Sequence, residues 1–152
     1  MKKEQKIRKI INGTVIDHIK PDCAIKVLSI LGNIKDECVI ICINAKSKKY
    51  KKKDIIKIEN KFLKEKEYNE LALISPNATI SIIKNSKIIQ KNNAKIPDFI
   101  KGIGKCRNPR CITNYEQIDP EFMVVCKKPI ILKCIYCECN TKYIADKEEK
   151  IL

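Results

Sequence analysis

The chain of 152 residues has no tryptophan, one histidine and only four glycines. Each shortage removes a class of function. A lone histidine, His18, is not placed as an obvious catalytic base, and no nucleophile–base pair stands out beside it. The few glycines form no loop of the kind that cradles phosphates with backbone N–H groups. Three Phe and five Tyr are spread thinly, and none cluster on an expected strand, so a stacking platform for nucleic-acid bases is missing. An enzyme therefore has little to rest on. No apolar run approaches the roughly 20 residues of a membrane span. The opening MKKEQKIRKI has charge without the apolar stretch of a secretory leader. A cytoplasmic protein without membrane contact is expected.

Arginine is scarce as well: only Arg8, Arg107 and Arg110 stand among 32 basic residues. Most of the net charge of +14 is lysine, which reads first as a solvated surface. Its distribution says more. Residues 1–95 carry 22 basic and 10 acidic side chains, residues 96–152 carry 10 and 8. A front half near +12 favours an anionic partner, while the back half is almost neutral.

Cysteine is what the chain has in excess, with nine. In a reducing compartment these are thiols rather than disulfides. Cys106, Cys111, Cys134 and Cys137 read C-x4-C, 22 residues, then C-x2-C, the spacing of two turns that close on one tetrahedral zinc. Four thiolates leave no open position, so the zinc is structural. The complex carries a formal charge of −2, which Lys105, Arg107, Arg110 and Lys133 offset. Cys23, Cys38, Cys42, Cys126 and Cys139 are left as free thiols, with Cys139 the competing ligand. A unit of about 50 residues buries too little surface to be secure unaided, so a metal staple suits it.

Two domains are expected, 1–95 and 96–152. Residues 14–19 have strand composition. Pro21-Asp22 opens a helix with Ala24, Val27, Leu28 and Leu31 at helical spacing and Gly32 as its C-cap. The apolar run 37–44 reads as a central strand, followed by a lysine-rich turn and a strand over 54–59. A second helix is expected from about Lys64 to Ile74, with Tyr68, Leu71 and Ala72 inward and Pro76 ending it. Strands at 79–84 and 87–91 flank a turn at Asn85-Ser86, and 92–101, with Pro97, is the linker. The fold class is α+β: a ferredoxin-like antiparallel sheet with two helices on one face, then a small all-β, zinc-ribbon-like domain. The open sheet face needs a cover, such as a ligand or a second copy.

Alternation along 53–59 puts Lys53 and Lys57 on one face with Ile55 between them. Two ammonium groups beside an apolar side chain suit a phosphate chain next to a base, and a solvated lysine face is the plain alternative. Asp17 and His18 end the first strand. Strict alternation sends them to opposite faces, so both serve one ligand only if the strand bulges there.

GTVIDHI at 13–19, KKDIIKIEN at 52–60, LALISPNATI at 71–80 and the four-cysteine spacing together resemble the regulatory chain of aspartate carbamoyltransferase. The resemblance implies a non-catalytic allosteric subunit in pyrimidine biosynthesis, which binds CTP, with ATP or UTP as further effectors. It also implies a second regulatory chain as partner, and catalytic chains gripped by the zinc domain. Carried over by position, Asp17 and Lys57 contact the ribose region, and His18, Lys53 and Lys91 lie at the phosphates. The backbone at Ile10 and Ile11 reads the base edge, with Ser81 beside it. Departures fall at Arg8, Ser81 and Ser86, where the family often has an acid, an Asn and a Tyr. The competing reading is a nucleic-acid-binding zinc protein, which the basic front half supports and the neutral metal unit opposes.

Overall fold

The computed structural model describes residues 8–32 and 34–143. The first seven residues of the opening MKKEQKIRKI, and residues 144–152 of the second expected domain, lie outside the described residues. The chain divides into two compact units, Met1–Lys95 and Ile96–Leu152.

In the first unit the order is β1 (Gly13–Ile19), α1 (Ala24–Ile30), β2 (Val39–Ser47), β3 (Lys51–Glu59), α2 (Glu65–Ile74), β4 (Thr79–Lys84) and β5 (Lys87–Asn93). The strands form one antiparallel sheet ordered β2-β3-β1-β4-β5. That is the split βαβ arrangement with one hairpin strand added at the β4 edge. Alternate residues of each strand turn to the helices. Ile16, Ile56, Ile58 and Ile80 from the sheet meet Val27 of α1 and Leu71 and Ala72 of α2 in one buried cluster.

Several expectations change. The apolar run at 37–44 is not central: β2 is the edge strand, because β1 occupies the middle of the sheet between β3 and β4. The lysine-rich stretch is mostly strand. β2 continues to Ser47, β3 starts at Lys51, and only residues 48–50 make the turn. Solvated lysines cost the ladder little, and Lys46–Lys52 and Ser47–Lys51 pairs extend the register. The linker is shorter too, since β5 runs to Asn93 and Phe99–Lys101 form a strand. The turn at Asn85-Ser86 forms with both residues left-handed, the geometry a tight hairpin requires.

Gly32 is not a left-handed C-cap. α1 ends at Leu31 with extended backbone, and Gly32 instead allows close approach of α2. A Cβ there would stand 3.0 Å from Glu67 Oε1. The buried Glu67 carboxylate accepts from Gly32 N–H, from Lys64 N–H at 2.9 Å and from Lys61 Nζ at 2.9 Å. Burial pushes its pKa up, but these donors outweigh that and hold it below its ordinary value of 4.5. A folded group that ionises at lower pH than the unfolded one stabilises the fold above pH 4.5 and loses that contribution as acid protonates it. Glu67→Gln is expected to cost about 1–3 kcal/mol at pH 7 and less at pH 3.5. Urea midpoints at both pH values check this, and an equal loss at the two would contradict it.

The second unit holds β6 (Phe99–Lys101), a 3-10 turn at Ile112–Asn114, β7 (Glu121–Lys127), β8 (Ile130–Cys134) and β9 (Asn140–Lys142). Its strands form one antiparallel sheet in sequence order. Ile100, Phe122, Leu132 and Cys134 are buried, while Phe99 and Met123, register partners, are exposed.

Candidate anion site and metal centre

The sheet face away from the helices gathers most of the expected binding residues. Lys57 of β3 pairs with Val15 of β1, Val15 with Ser81 of β4, and Ser81 with Lys91 of β5. Directly opposed residues share a face, so Lys57, Ser81 and Lys91 lie in one row across the sheet. Lys53 and Ile55 lie on the same face, by period two.

Asp17 and His18 join that face through a bulge. β1 leaves register with β3 between Ile16 and Ile19, and His18 takes a left-handed φ of 55°. The Asp17 carboxylate steadies the bulge by accepting the His18 N–H at 2.6 Å, and it pairs with Lys53 Nζ at 2.8 Å. His18 Nδ1 is 3.1 Å from Thr79 Oγ1, whose hydroxyl in turn donates to Asn93 Oδ1 at 3.3 Å. A hydroxyl has one proton to give. Thr79 therefore accepts from Nδ1–H of His18, and Nε2 is left for a ligand.

Residues 8–12 lie against this face. Gly13 brings them there with φ of 140°, and a Cβ at that position would be 2.0 Å from the Ile58 carbonyl oxygen. Lys57 Nζ donates to the Arg8 carbonyl at 3.0 Å, and Ser86 N–H donates to the Ile11 carbonyl at 2.9 Å. Ile10 is buried and Ile11 exposed. Ile11's carbonyl therefore already has one partner, with a second lone pair free. The cover puts Lys9 near Lys57. Burial holds the Lys57 ammonium below its ordinary pKa, Asp17 partly restores it, and the Lys9 charge lowers it further.

Four lysines, 9, 53, 57 and 91, thus outnumber the carboxylates of Asp17 and of Glu59, which period two also puts on this face. Such an arrangement is unfavourable on its own and is relieved by an anion. Lys9, Thr79 and Asn93 were not singled out from the sequence. Lys9 is one of many N-terminal lysines, and the role of Thr79 depends on the His18 bulge. A groove of about 310 Å³ lined by Thr14, Leu63, Tyr68, Ile80 and Gln90 lies on the helix side and holds none of the expected site residues.

In the second unit the sulfurs of Cys106, Cys111, Cys134 and Cys137 all lie within 4.8 Å of one another. The Cys106–Cys137 separation is 3.6 Å and Cys111–Cys134 is 3.8 Å. With Zn–S bonds of about 2.3 Å, a tetrahedron has edges of about 3.8 Å, so these residues fit one structural zinc. The first loop is laced by Asn114, whose Nδ2 donates to the carbonyls of Cys106 and Asn108 at 3.0 and 2.8 Å. Backbone N–H groups turn toward sulfur: Asn108 on Cys106, Tyr136 and Cys137 on Cys134, and Cys139 on Cys137. Desolvation pushes the Cys106 and Cys134 thiols up, so buried thiolates here need a cation to persist. Cys139 is exposed and outside the four-sulfur set.

Comparison with known proteins agrees with this division. Residues 5–95 match the family model described as aspartate carbamoyltransferase regulatory chain, allosteric domain, and residues 98–146 match its metal binding domain. The chain is 52% identical over 136 residues to the aspartate carbamoyltransferase regulatory chain of Thermococcus sibiricus, covering 90% of this chain and 91% of that one. Its similarity to the chains so named from Pyrococcus furiosus and Methanocaldococcus jannaschii is 47% identity, with 89% of this chain and 91% of each relative covered.

Proposed function

The chain belongs to the family of aspartate carbamoyltransferase regulatory chains, and from that premise we propose that its first unit is a nucleotide sensor whose state is passed to catalytic chains held by the second. It is a non-catalytic subunit, which agrees with the absence of catalytic machinery in its sequence. The nucleic-acid-binding alternative gives way to that membership, and the row across the open face is lysine and aliphatic rather than aromatic.

The observation that carries the reading is the cationic row with its bulge. Lys53, Lys91 and His18 seat the phosphates, while Asp17 and Lys57 take the ribose hydroxyls. The backbone at Ile10 and Ile11, beside Ser81, meets the base. CTP is the expected ligand, with ATP or UTP competing for the same seat. A bound effector shifts the assembly only by the difference of its affinities for the two states, typically about 1–3 kcal/mol.

A second regulatory chain is the expected partner of the first unit. Support comes from β2, an edge strand that carries the apolar run CVIICIN with Ile43 exposed. An uncovered apolar edge is a template for pairing with another chain. In the second unit, exposed Phe99, Met123 and Tyr136 offer apolar surface to a catalytic chain. Among the described residues no helix is long and apolar enough to cross a membrane, and the cytoplasm is the proposed compartment.

Calorimetric titration of the full chain with CTP tests the proposal. Lys57→Ala is expected to weaken binding about 10- to 100-fold, the loss of a charge-assisted hydrogen bond worth about 1.5–3 kcal/mol. Unchanged affinity would place the site elsewhere. Salt-sensitive binding of long nucleic acid without saturable CTP binding would overturn the reading.

A further inference from the structure

One corner of the metal centre differs from the other three. Cys106, Cys111 and Cys134 are buried, whereas Cys137 is half-exposed. Two residues on from that corner stands a fifth thiol, Cys139, which is exposed. Asn108, from the opposite cysteine loop, donates Nδ2–H to Cys139 Sγ at 3.5 Å. One side-chain amide thus ties the Cys139 sulfur to the loop that carries Cys106 and Cys111.

The backbone keeps the two thiols on one turn. Cys134 N–H donates to the Cys139 carbonyl at 3.0 Å, and Glu138 between the thiols has a left-handed φ of 59°. Spacing favours an exchange as well. Cys134 and Cys139 are separated by four residues, the same separation by which Cys106 and Cys111 already deliver two sulfurs to the cluster. C-x2-C and C-x4-C are therefore both available from Cys134.

We propose that Cys139 is an exchange ligand for the zinc, able to replace Cys137 at the exposed corner. The step is a ligand substitution. Cys139 gives its proton to solvent as its sulfur bonds the metal, the bond from Cys137 to the metal breaks, and the freed Cys137 thiolate takes up a proton. No electrons are transferred, and the metal keeps four sulfurs before and after. Metal entry and departure then run through this corner, where a spare thiol is at hand.

Full-length Cys137→Ser, Cys139→Ser and the double variant test this. The readouts are metal content per chain and, after substitution with Co²⁺, the sulfur-to-cobalt charge-transfer absorption that reports thiolate number. Both single variants are expected to keep one metal and a four-thiolate spectrum. The double variant should lose one thiolate or the metal altogether, and release zinc to a chelator faster than either single. A three-thiolate spectrum or loss of metal in Cys137→Ser would show that Cys139 cannot reach the site. The same result in Cys139→Ser would make Cys139 the resident ligand, and a four-thiolate spectrum in the double variant would exclude both; each overturns the proposal.

Discussion

Removing zinc, by a chelator or by Cys134→Ser, is expected to abolish binding to catalytic chains while the first unit stays folded. Cys134 is the ligand to choose because it is fully buried and holds the centre of its knuckle. Among its described residues the second unit has few other means of support. Among the described residues, and apart from its cysteines, its buried apolar side chains are Ile96, Ile100, Ile103, Phe122 and Leu132. Five such side chains contribute about 1.5–3 kcal/mol each, against an ordering cost of about 1–2 kcal/mol for every residue of backbone. Structural zinc supplies about 10–16 kcal/mol, so its loss decides whether this unit exists. The first unit has its own core and shares none of those ligands. Gel filtration with catalytic chains, with and without chelator, reads the effect. A retained heat-unfolding transition of the first unit provides the control. Assembly that survives without metal would refute the expectation.

Gly13→Ala should damage the first unit more than any change at its lysines. Two independent features require glycine there: a φ of 140°, and the 2.0 Å approach of a Cβ to the Ile58 carbonyl oxygen. The clash is with backbone, so no side chain can rotate away. Relief means moving β1 against β3 in the middle of the sheet, where Gly13 pairs with Glu59 on one side and Ile83 on the other. Strained backbone and overpacking each cost about 1–3 kcal/mol. A loss of about 3 kcal/mol or more in a unit of this size lowers its melting temperature by roughly 12–24 °C. CTP binding should weaken as well, because residues 8–12 enter the site through Gly13. Thermal unfolding of the first unit checks this, and a shift under about 2 °C would mean that the backbone yields at little cost.

The two units differ in how far their sites could be read in advance. The zinc ligands are legible because a metal centre of this kind is two local turns: the spacings C-x4-C and C-x2-C nearly specify the geometry, and a 22-residue interval only has to bring the turns together. The position of Cys139 was not legible, since C-x2-C-x-C offers two sulfurs and only the folded knuckle says which is inside. The cationic face was half legible. Alternation placed Lys53 and Lys57 together, but nothing in TVIDHI states that β1 leaves register after Ile16. That bulge is set by the partners of Asp17 and Thr79 across the sheet. The apolar run in β2 misled for a related reason. A continuous hydrophobic stretch suits a buried central strand, yet it equally suits an edge strand whose cover is another molecule.

By itself the sequence determined the two-unit division of charge, the helix and strand periods, and the four thiolates that fit zinc. All of these rest on composition or on contacts within a few residues. The tertiary structure alone decided that Asp17 and His18 share a face, that Lys9 comes to rest near Lys57, and that Gly32 serves the approach of Glu67 rather than a helix end. Each of those depends on which distant strand or loop lies alongside. That is a matter of register and close packing, and local preference does not carry it.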